Sequence, residues 1–409
     1  MAVSDWEHST MSMEEWEKKI DNFIASENKK INTHEMLWEG RGGNEIRGFA
    51  RGLTNKIVTA DMIRKFALGI GDFNPLYRDP DYAAKTKWGG IIAPPLMVHV
   101  IGYPSTQFPS IPDDVGGIQF MDGGIDHDFY QVIRPGDEFT ATTTYLGIKE
   151  MKRRKAEKRM MISSVRSDYY NQRKEKVASA TGNVIIICAA PGQPTNTLGM
   201  TPEEAWKYKQ PHYSKEVLDE IYAQYDEEIA GKLQRGATPR YWEDVQEGDQ
   251  IPTLLMGPLN IDDIVAFIAN ETNIGYPGAF AHQYLLTKLD PAYYHEDSET
   301  GAVVACDWHM ERVAKECGFP QGVHYGAMSM AIISHAVTNW MGDDAFIKKM
   351  NFQCRKMTYI GDTNTTKGTI VRKYEQDGEH LVDLDLASTT QNNVAHTTCN
   401  ATIALPSRK

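Results

Sequence analysis

FALGIGDFNPLYRDPDYAAKTKWGGIIAPP, residues 66–95, is the stretch from which the rest of the chain can be read. It leaves an apolar-periodic segment, passes through a turn, and closes on Pro94-Pro95 inside a second apolar run. Gly71-Asp72-Phe73-Asn74-Pro75 is rich in turn formers: Asp and Asn side chains bond backbone N–H groups two residues on, and proline fixes φ. Asp72 and Asn74 therefore have a structural reading, an Asx-turn ending a helix, and a chemical one, polar groups held beside a ligand. Upstream, Thr59-Ala-Asp-Met-Ile-Arg-Lys-Phe66 pairs a good N-cap type with an aspartate suited to the positive end of a helix. Downstream, IIAPPLMVHVIGY (91–103) predicts an apolar helix whose prolines fall in its first turn or before it.

The same programme recurs later in the chain, which is the mark of an internal repeat. Asn260-Ile-Asp-Asp-Ile-Val-Ala-Phe267 repeats the acidic helix start, and His309-MERVAKECGFPQG-Val323 repeats the short alanine-bearing helix and glycine turn. VHYGAMSMAIISHAVTNW (323–340) predicts a long buried helix. Pro135-Gly-Asp137 and Ile360-Gly-Asp362 each announce Thr-, Val- and Ile-rich segments, and 179–188 and 396–406 read as last strands. The expected fold is α+β, a double hot-dog: two antiparallel sheets, each wrapped around a central helix. Its expected parts are a helical extension (1–50), a first hot-dog domain (51–189), a linker with a helix (190–237) and a second hot-dog domain (238–409). In the linker, Val217, Ile221, Tyr225 and Ile229 fall at helical spacing, which predicts a bridging helix docked by that stripe.

At 409 residues the chain suits two domains, and 41% hydrophobic with 24% charged residues suits a globular protein. A net charge of −12 argues against a generic nucleic-acid binder. No apolar run reaches the roughly 18 residues of a membrane span, and MAVSDWEHSTMSMEEWEKK has no apolar core of a signal peptide, so a cytoplasmic protein is expected. Cys188, Cys306, Cys317, Cys354 and Cys399 lack metal spacing and read as reduced thiols. The basic run KEMKRRKAEKR (149–159) reads either as a solvated hairpin tip or, through Lys152, Arg153 and Arg154, as a contact to the phosphates of a nucleotide-bearing substrate. There is no nucleophile elbow, P-loop or dinucleotide fingerprint. His295-Glu-Asp297 offers too few ligands at useful spacing, so no metal is expected.

Residues 66–95 resemble the hydratase motif of the MaoC-like hot-dog family of enoyl-CoA hydratases and acyl dehydratases. In that family a G-D-x-N-P-x-H segment supplies an Asp and a His. Gly71, Asp72, Asn74 and Pro75 match it position for position, while Tyr77 stands where the family has His. Tyrosine followed by G-G-I-I-A-P-P looks like the amino-terminal dehydratase-type domain of longer, fused members. Arg240-YWEDVQEGDQIP-252 resembles the opening of a second MaoC-like domain, and 309–328 its H-x-D…G-F…H-G-M continuation. The second half has no aspartate where the Gly-Asp pair should fall, near 271–273, and carries about thirty extra residues (274–304) before His309. The first half thus keeps the family's Asp without its His, and the second keeps a His without its Asp.

The resemblance implies a hydro-lyase that adds water across the α,β double bond of an enoyl-CoA or removes it from a 3-hydroxyacyl-CoA, with CoA as part of the substrate and no separate cofactor. That reaction needs a base for the water, an acid for Cα and donors for the enolate oxygen. Expected catalytic residues are Asp72, Asn74, Tyr77, His309 and its neighbour Asp307; expected thioester donors are the helix openings at Gly90-Ile91 and Tyr325-Gly326. His324 and His335 read as core or interface histidines. Tyr276, Phe280, Tyr284, Tyr293 and Tyr294 either line an acyl pocket or pack the insertion down. The alternatives are a thioesterase, or a thioester-binding subunit that needs a partner chain; a homodimer is a further expectation.

Overall fold

The computed structural model describes residues 6, 8–37, 55–104, 115–152, 157–193, 202–271, 281, 284, 294–296, 299–305, 308–316 and 318–408. Both acidic starts are helices: α2 (Ala60–Gly69), capped by the Thr59 side chain on Met62 N–H, and α7 (Ile261–Glu271), opened by Asn260 accepting from Asp262 and Asp263. They pack against each other, with Phe66 and Phe267 rings 6.4 Å apart. A Cβ on Gly69 would come within 3.2 Å of the Asn270 side chain, so the two axes approach closely there.

Each half contributes four long antiparallel strands: β2 (Ile118–Phe129), β3 (Thr140–Glu150), β4 (Lys158–Tyr170) and β5 (Lys176–Ala189), then β9 (Phe346–Cys354), β10 (Asn364–Gln376), β11 (Glu379–Thr389) and β12 (Ala395–Ala404). With β1 (His34–Leu37) and β6 (Leu254–Met256) at the flanks, they form one ten-stranded sheet in the order β1-β3-β4-β5-β2-β9-β12-β11-β10-β6. The order reads the same from either end once the halves are matched. The expected pair of sheets is therefore fused through the β2–β9 seam, where Asp126 faces Asn351, His127 faces Met350 and Asp128 faces Lys349. A two-stranded ribbon, β7 (Tyr294–Glu296) with β8 (Val303–Ala305), lies apart from it.

The second half wraps around α9 (Gly326–Met341), every residue of which after Gly326 is buried. A helix apolar on all sides belongs in a core. The first half departs from the expected long helix over 91–103. A 3-10 turn (Pro95–Met97) leads into one helical turn, α4 (Val98–Ile101), and Gly102 ends it in extended backbone. Two prolines deprive its start of N–H donors, and Pro104 disfavours helical backbone at Tyr103.

The amino-terminal helix α1 (Met13–Asn28) lays Trp16, Ile20 and Phe23 on the first half in a second apolar cluster with Met161, Ile186 and Cys188. Its clamp is Arg159, which donates to Glu150 at 2.7 Å through both Nε and Nη2, to Asp21 at 2.7 Å and to the Glu17 carbonyl. One arginine of the basic run is thus structural. Lys152 is exposed at the hairpin end, and Arg153 and Arg154 lie outside the described residues. Arg159→Ala is expected to lower stability by about 2 kcal/mol, since Glu150 and Asp21 lose their partner yet keep contact with water. Urea unfolding measures it, and an unchanged midpoint contradicts the clamp.

The linker forms α5 (Pro202–Lys207) and α6 (Lys215–Ile229). The docking stripe differs from the expected one. Ile221 is buried and Tyr225 half-buried, but Val217 and Ile229 face solvent and Glu228 takes the buried position. Gln224 bonds the Thr253 carbonyl at 3.0 Å and Leu255 N–H, while the Tyr225 hydroxyl accepts from Gly257 N–H at 2.7 Å. Polar side chains, satisfied by β6 and its flanks, orient this helix and carry Glu228 inward. Among the described cysteines, Cys188, Cys354 and Cys399 are free thiols.

Candidate active site

The G-D-x-N-P segment folds as nested Asx-turns that end a helix, as its structural reading required. Gly71 (φ +70) adopts the left-handed backbone that lets Asp72 N–H return to the Ala67 carbonyl at 2.9 Å and close α2. Asp72 Oδ1 accepts from Asn74 N–H at 2.8 Å, and Asn74 Oδ1 accepts from Leu76 N–H at 3.0 Å. Pro75 then opens a 3-10 turn (Pro75–Tyr77) that buries the Tyr77 ring. These nested turns fix three polar side chains within six residues.

Beside them lies a cleft of about 600 Å³, including its open mouth. Asn74 and Tyr77 stand on its wall with Thr338 and Asp343 from the second half. The other walls are mostly apolar, with Ile92, Ala93, Phe129 and Val177 from the first half and Ala345 and Ile347 from the second, and Gln131 adds one polar side chain. Trp88 and Phe346, both half-exposed and 6.4 Å apart, also line it. An apolar cleft with a few convergent polar groups is the ordinary form of a small-molecule site.

Behind Asn74 sits a buried cluster drawn from three segments. Glu228 Oε1 accepts from Phe73 N–H at 3.1 Å and from the Gln234 amide at 2.5 Å, and lies 3.3 Å from His335 Nε2. Its Oε2 accepts from Asn339 at 3.1 Å. His335 Nε2 is 3.9 Å from Asp72 Oδ1, and Asp72 Oδ2 is buried without a hydrogen-bond partner. Burial raises the Asp72 carboxyl above the usual range, and nearby His335 and the Asn74 N–H only partly offset it. Burial opposes charge on His335 too, but Asp72 and Glu228 outweigh it and hold the imidazole above its ordinary value. Burial also penalises charge on Glu228, yet His335, Phe73 N–H and Asn339 prevail and keep it below the usual range. The Tyr77 hydroxyl faces Thr338; burial, reinforced by Asp72 and Asp343, pushes it well above a free phenol, so it stays protonated.

Asp72, Glu228 and His335 could reach a common cation, their ligand atoms lying within 4.8 Å of one another. The donor set fits that role poorly. The Glu228 oxygens already accept from Phe73 N–H, Gln234 and Asn339.

The other expected residues are dispersed. His309 is half-buried in another cluster, with Nδ1 2.6 Å from the Val323 carbonyl and its ring 4.2 Å from that of Tyr325. Its place beside Asp72 is taken by His335, read from sequence as a core histidine. Asp307 lies outside the described residues, as do Tyr276, Phe280 and Tyr293; Tyr284 is exposed. Gly90 and Ile91 do not line the cleft; Ile92 and Ala93 do, and Ala93 N–H is spent on the Ile133 carbonyl at 2.9 Å. Prolines at the helix opening leave no row of free donors there. Tyr325 and Gly326 open α9 at the end away from the cleft, which touches that helix at Thr338 and Met341, and an added Gly326 Cβ would meet Asp122 Oδ2 at 3.3 Å. Sequence reading missed Glu228 and Asp343. The signal for Glu228 was its spacing with Ile221, Gln224 and Tyr225, one face of a helix.

A palindromic strand order, an edge-to-edge seam and a buried helix define this chain as a double hot-dog protein. Its architecture is that of the MaoC-like dehydratases, and residues 47–180 match the family model of the FAS1-like dehydratase domain region. A solved MaoC-like dehydratase superposes with a TM-score of 0.60 at 12% identity, covering 92% of this chain and 99% of that one. A MaoC domain protein dehydratase from Chloroflexus aurantiacus gives 0.53 at 14% identity, covering 93% and 96%. In sequence, a UPF0336 protein of Streptomyces avermitilis is 27% identical over 139 residues, 33% of this chain and 87% of the relative. A UPF0336 protein of Thermobifida fusca is 32% identical over 97 residues, 23% and 63%.

Proposed function

We propose that this chain is a hydro-lyase that adds water to the α,β double bond of an enoyl-CoA thioester, or removes it from the 3-hydroxyacyl form, in the cleft between its halves. The observation that carries this reading is the polar corner formed by Asn74, Tyr77, Thr338 and Asp343 in a cleft whose walls are otherwise mostly apolar. Such walls suit an acyl chain and exclude bulk water, which strengthens every polar contact inside.

Attack of water at Cβ moves charge to the thioester oxygen, so catalysis needs a donor waiting there. Tyr77 fits that need. Its phenol stays neutral beside Asp72 and Asp343, and an O–H donor fixed in a dry site costs no reorganisation during the reaction. Tyrosine in place of the family's histidine thus trades a proton carrier for a donor. His335 restores an imidazole next to Asp72 from the other half, and Glu228 holds it in place.

The test is to mix the purified chain with crotonyl-CoA and follow loss of enoyl absorbance alongside release of free thiol. Hydration without thiol release supports the reading; thiol release alone would make the protein a thioesterase. Tyr77→Phe is expected to lower kcat about 100-fold with little change in KM, the usual loss on removing one oxyanion donor. A Tyr77→Phe variant with wild-type kcat removes the tyrosine from this role.

A further inference from the structure

Two carboxyls flank Asn74 and Tyr77, but only one of them, Asp343, lines the cleft. It follows Gly342, whose left-handed backbone (φ +76) turns the chain sharply off the end of α9. Its backbone is pinned at both ends: its N–H donates to the Gly236 carbonyl at 2.9 Å, and its carbonyl accepts from Trp88 Nε1 at 2.7 Å. Its side chain is held at Oδ2, which accepts from the Tyr82 hydroxyl at 2.5 Å, and the Asn74 amide faces the same carboxyl. The other, Oδ1, is buried with no hydrogen-bond partner, in a residue only 4% exposed. A buried carboxyl oxygen that makes no close hydrogen bond carries a desolvation cost, which a fold tolerates where the group has work to do. Asp72, by contrast, does not line the cleft.

We propose that Asp343 is a catalytic residue of the hydro-lyase reaction, moving the proton between water and Cα through Oδ1, the carboxyl oxygen that Tyr82 does not hold. This rests on the function proposed above. As carboxylate it takes one proton from water while the water oxygen bonds to Cβ. The π pair moves onto Cα and the thioester oxygen, where Tyr77 donates. The enolate then collapses, Cα takes the same proton from the carboxyl, and the carboxylate is restored. One water is consumed, its two parts ending on Cα and Cβ, and dehydration retraces the path. The ionisable groups facing Asp343 are Tyr82, Tyr77 and Asp344, with Lys87 bonded to the Asp344 carbonyl at 2.7 Å. Burial raises the Asp343 carboxyl, while the Tyr82 hydroxyl and the Asn74 amide restrain that rise. Tyr82 is thus a positioning residue.

The experiment uses the full chain with crotonyl-CoA as substrate and butyryl-CoA as an unreactive binding probe. Asp343→Asn is expected to cut kcat about 100-fold or more, within the range for a lost general acid–base group, with butyryl-CoA affinity preserved. Tyr82→Phe is expected to move the acid limb of the kcat/KM profile to higher pH, because a bond that favours the carboxylate is gone; this second variant decides the matter if Asp343→Asn does not fold. An active wild type whose Asp343→Asn variant keeps its kcat, or whose Tyr82→Phe variant keeps the same acid limb, overturns the assignment and leaves the hydro-lyase intact. A wild type that binds butyryl-CoA but hydrates nothing overturns both.

Discussion

Gly124→Val is expected to destabilise the protein by about 4 kcal/mol or more, enough to place it among the exceptional single substitutions. Gly124 sits in β2 at an irregularity of the β2–β5 register, two residues before the seam with β9. Its φ of +117 lies where only glycine rests without strain, which by itself costs a side-chain-bearing residue about 1–3 kcal/mol. The larger part comes from the neighbour: a Cβ there would lie 2.1 Å from the Phe352 carbonyl oxygen. That atom is β9 backbone, so the strand itself has to move. Gly136→Ala is the control. Its φ is +87 but nothing lies within 4 Å of an added Cβ, so it carries backbone strain alone, about 1 kcal/mol. Urea unfolding of both variants measures the difference, and equal losses contradict a seam packed backbone to backbone.

The second large effect is acid sensitivity at the same seam. His99 and His127 are fully buried with Nε2 atoms 2.8 Å apart. His127 Nδ1 lies 3.3 Å from the Met350 carbonyl, an acceptor, so that nitrogen carries the proton, and Nε2 accepts from His99. The pair works only when both rings are neutral. Burial lowers both, His99 further through its neighbour and His127 to about 4. A histidine held low when folded costs nothing above its unfolded value of about 6.5. Below it the unfolded chain binds a proton that the folded one refuses, so stability falls as pH drops toward 4. For His127 this amounts to about 3 kcal/mol across the window. His335, raised when folded, and buried carboxyls such as Asp72 and Asp122, also raised, work in the opposite sense. The contribution is therefore isolated by difference: His127→Gln is less stable than wild type at pH 7, and the gap closes as pH falls from 6.5 to 4. A gap independent of pH contradicts the neutral pair.

The repeat made the fold legible. Helix starts at Thr59 and Asn260 and Gly-Asp turns at 136 and 361 are local signals, set by residues that touch their own neighbours in sequence. The same locality exposed Asp72, Asn74 and Tyr77, since nested Asx-turns need only adjacent residues. Locality also explains what stayed hidden. Glu228 lies in DEEI, a run indistinguishable by charge from a solvated helix face, and only docking of α6 on β6 turns it inward. Asp343 follows a glycine in GDDAF, which reads as a surface turn until Trp88 and Tyr82 close over it. His335 sits on a helix apolar on every side, where a histidine has no local mark of chemistry. The first-half helix was overestimated because apolar content outweighed the prolines around it.

The flanks of the ten-stranded sheet bear on how much strand edge its described residues leave open. Its outermost described strands, β1 and β6, have four and three residues, the shortest in the sheet. A newcomer strand finds only a few backbone donors and acceptors there, too few to template a growing ribbon. Fusing the halves through β2 and β9 spends those two borders on each other.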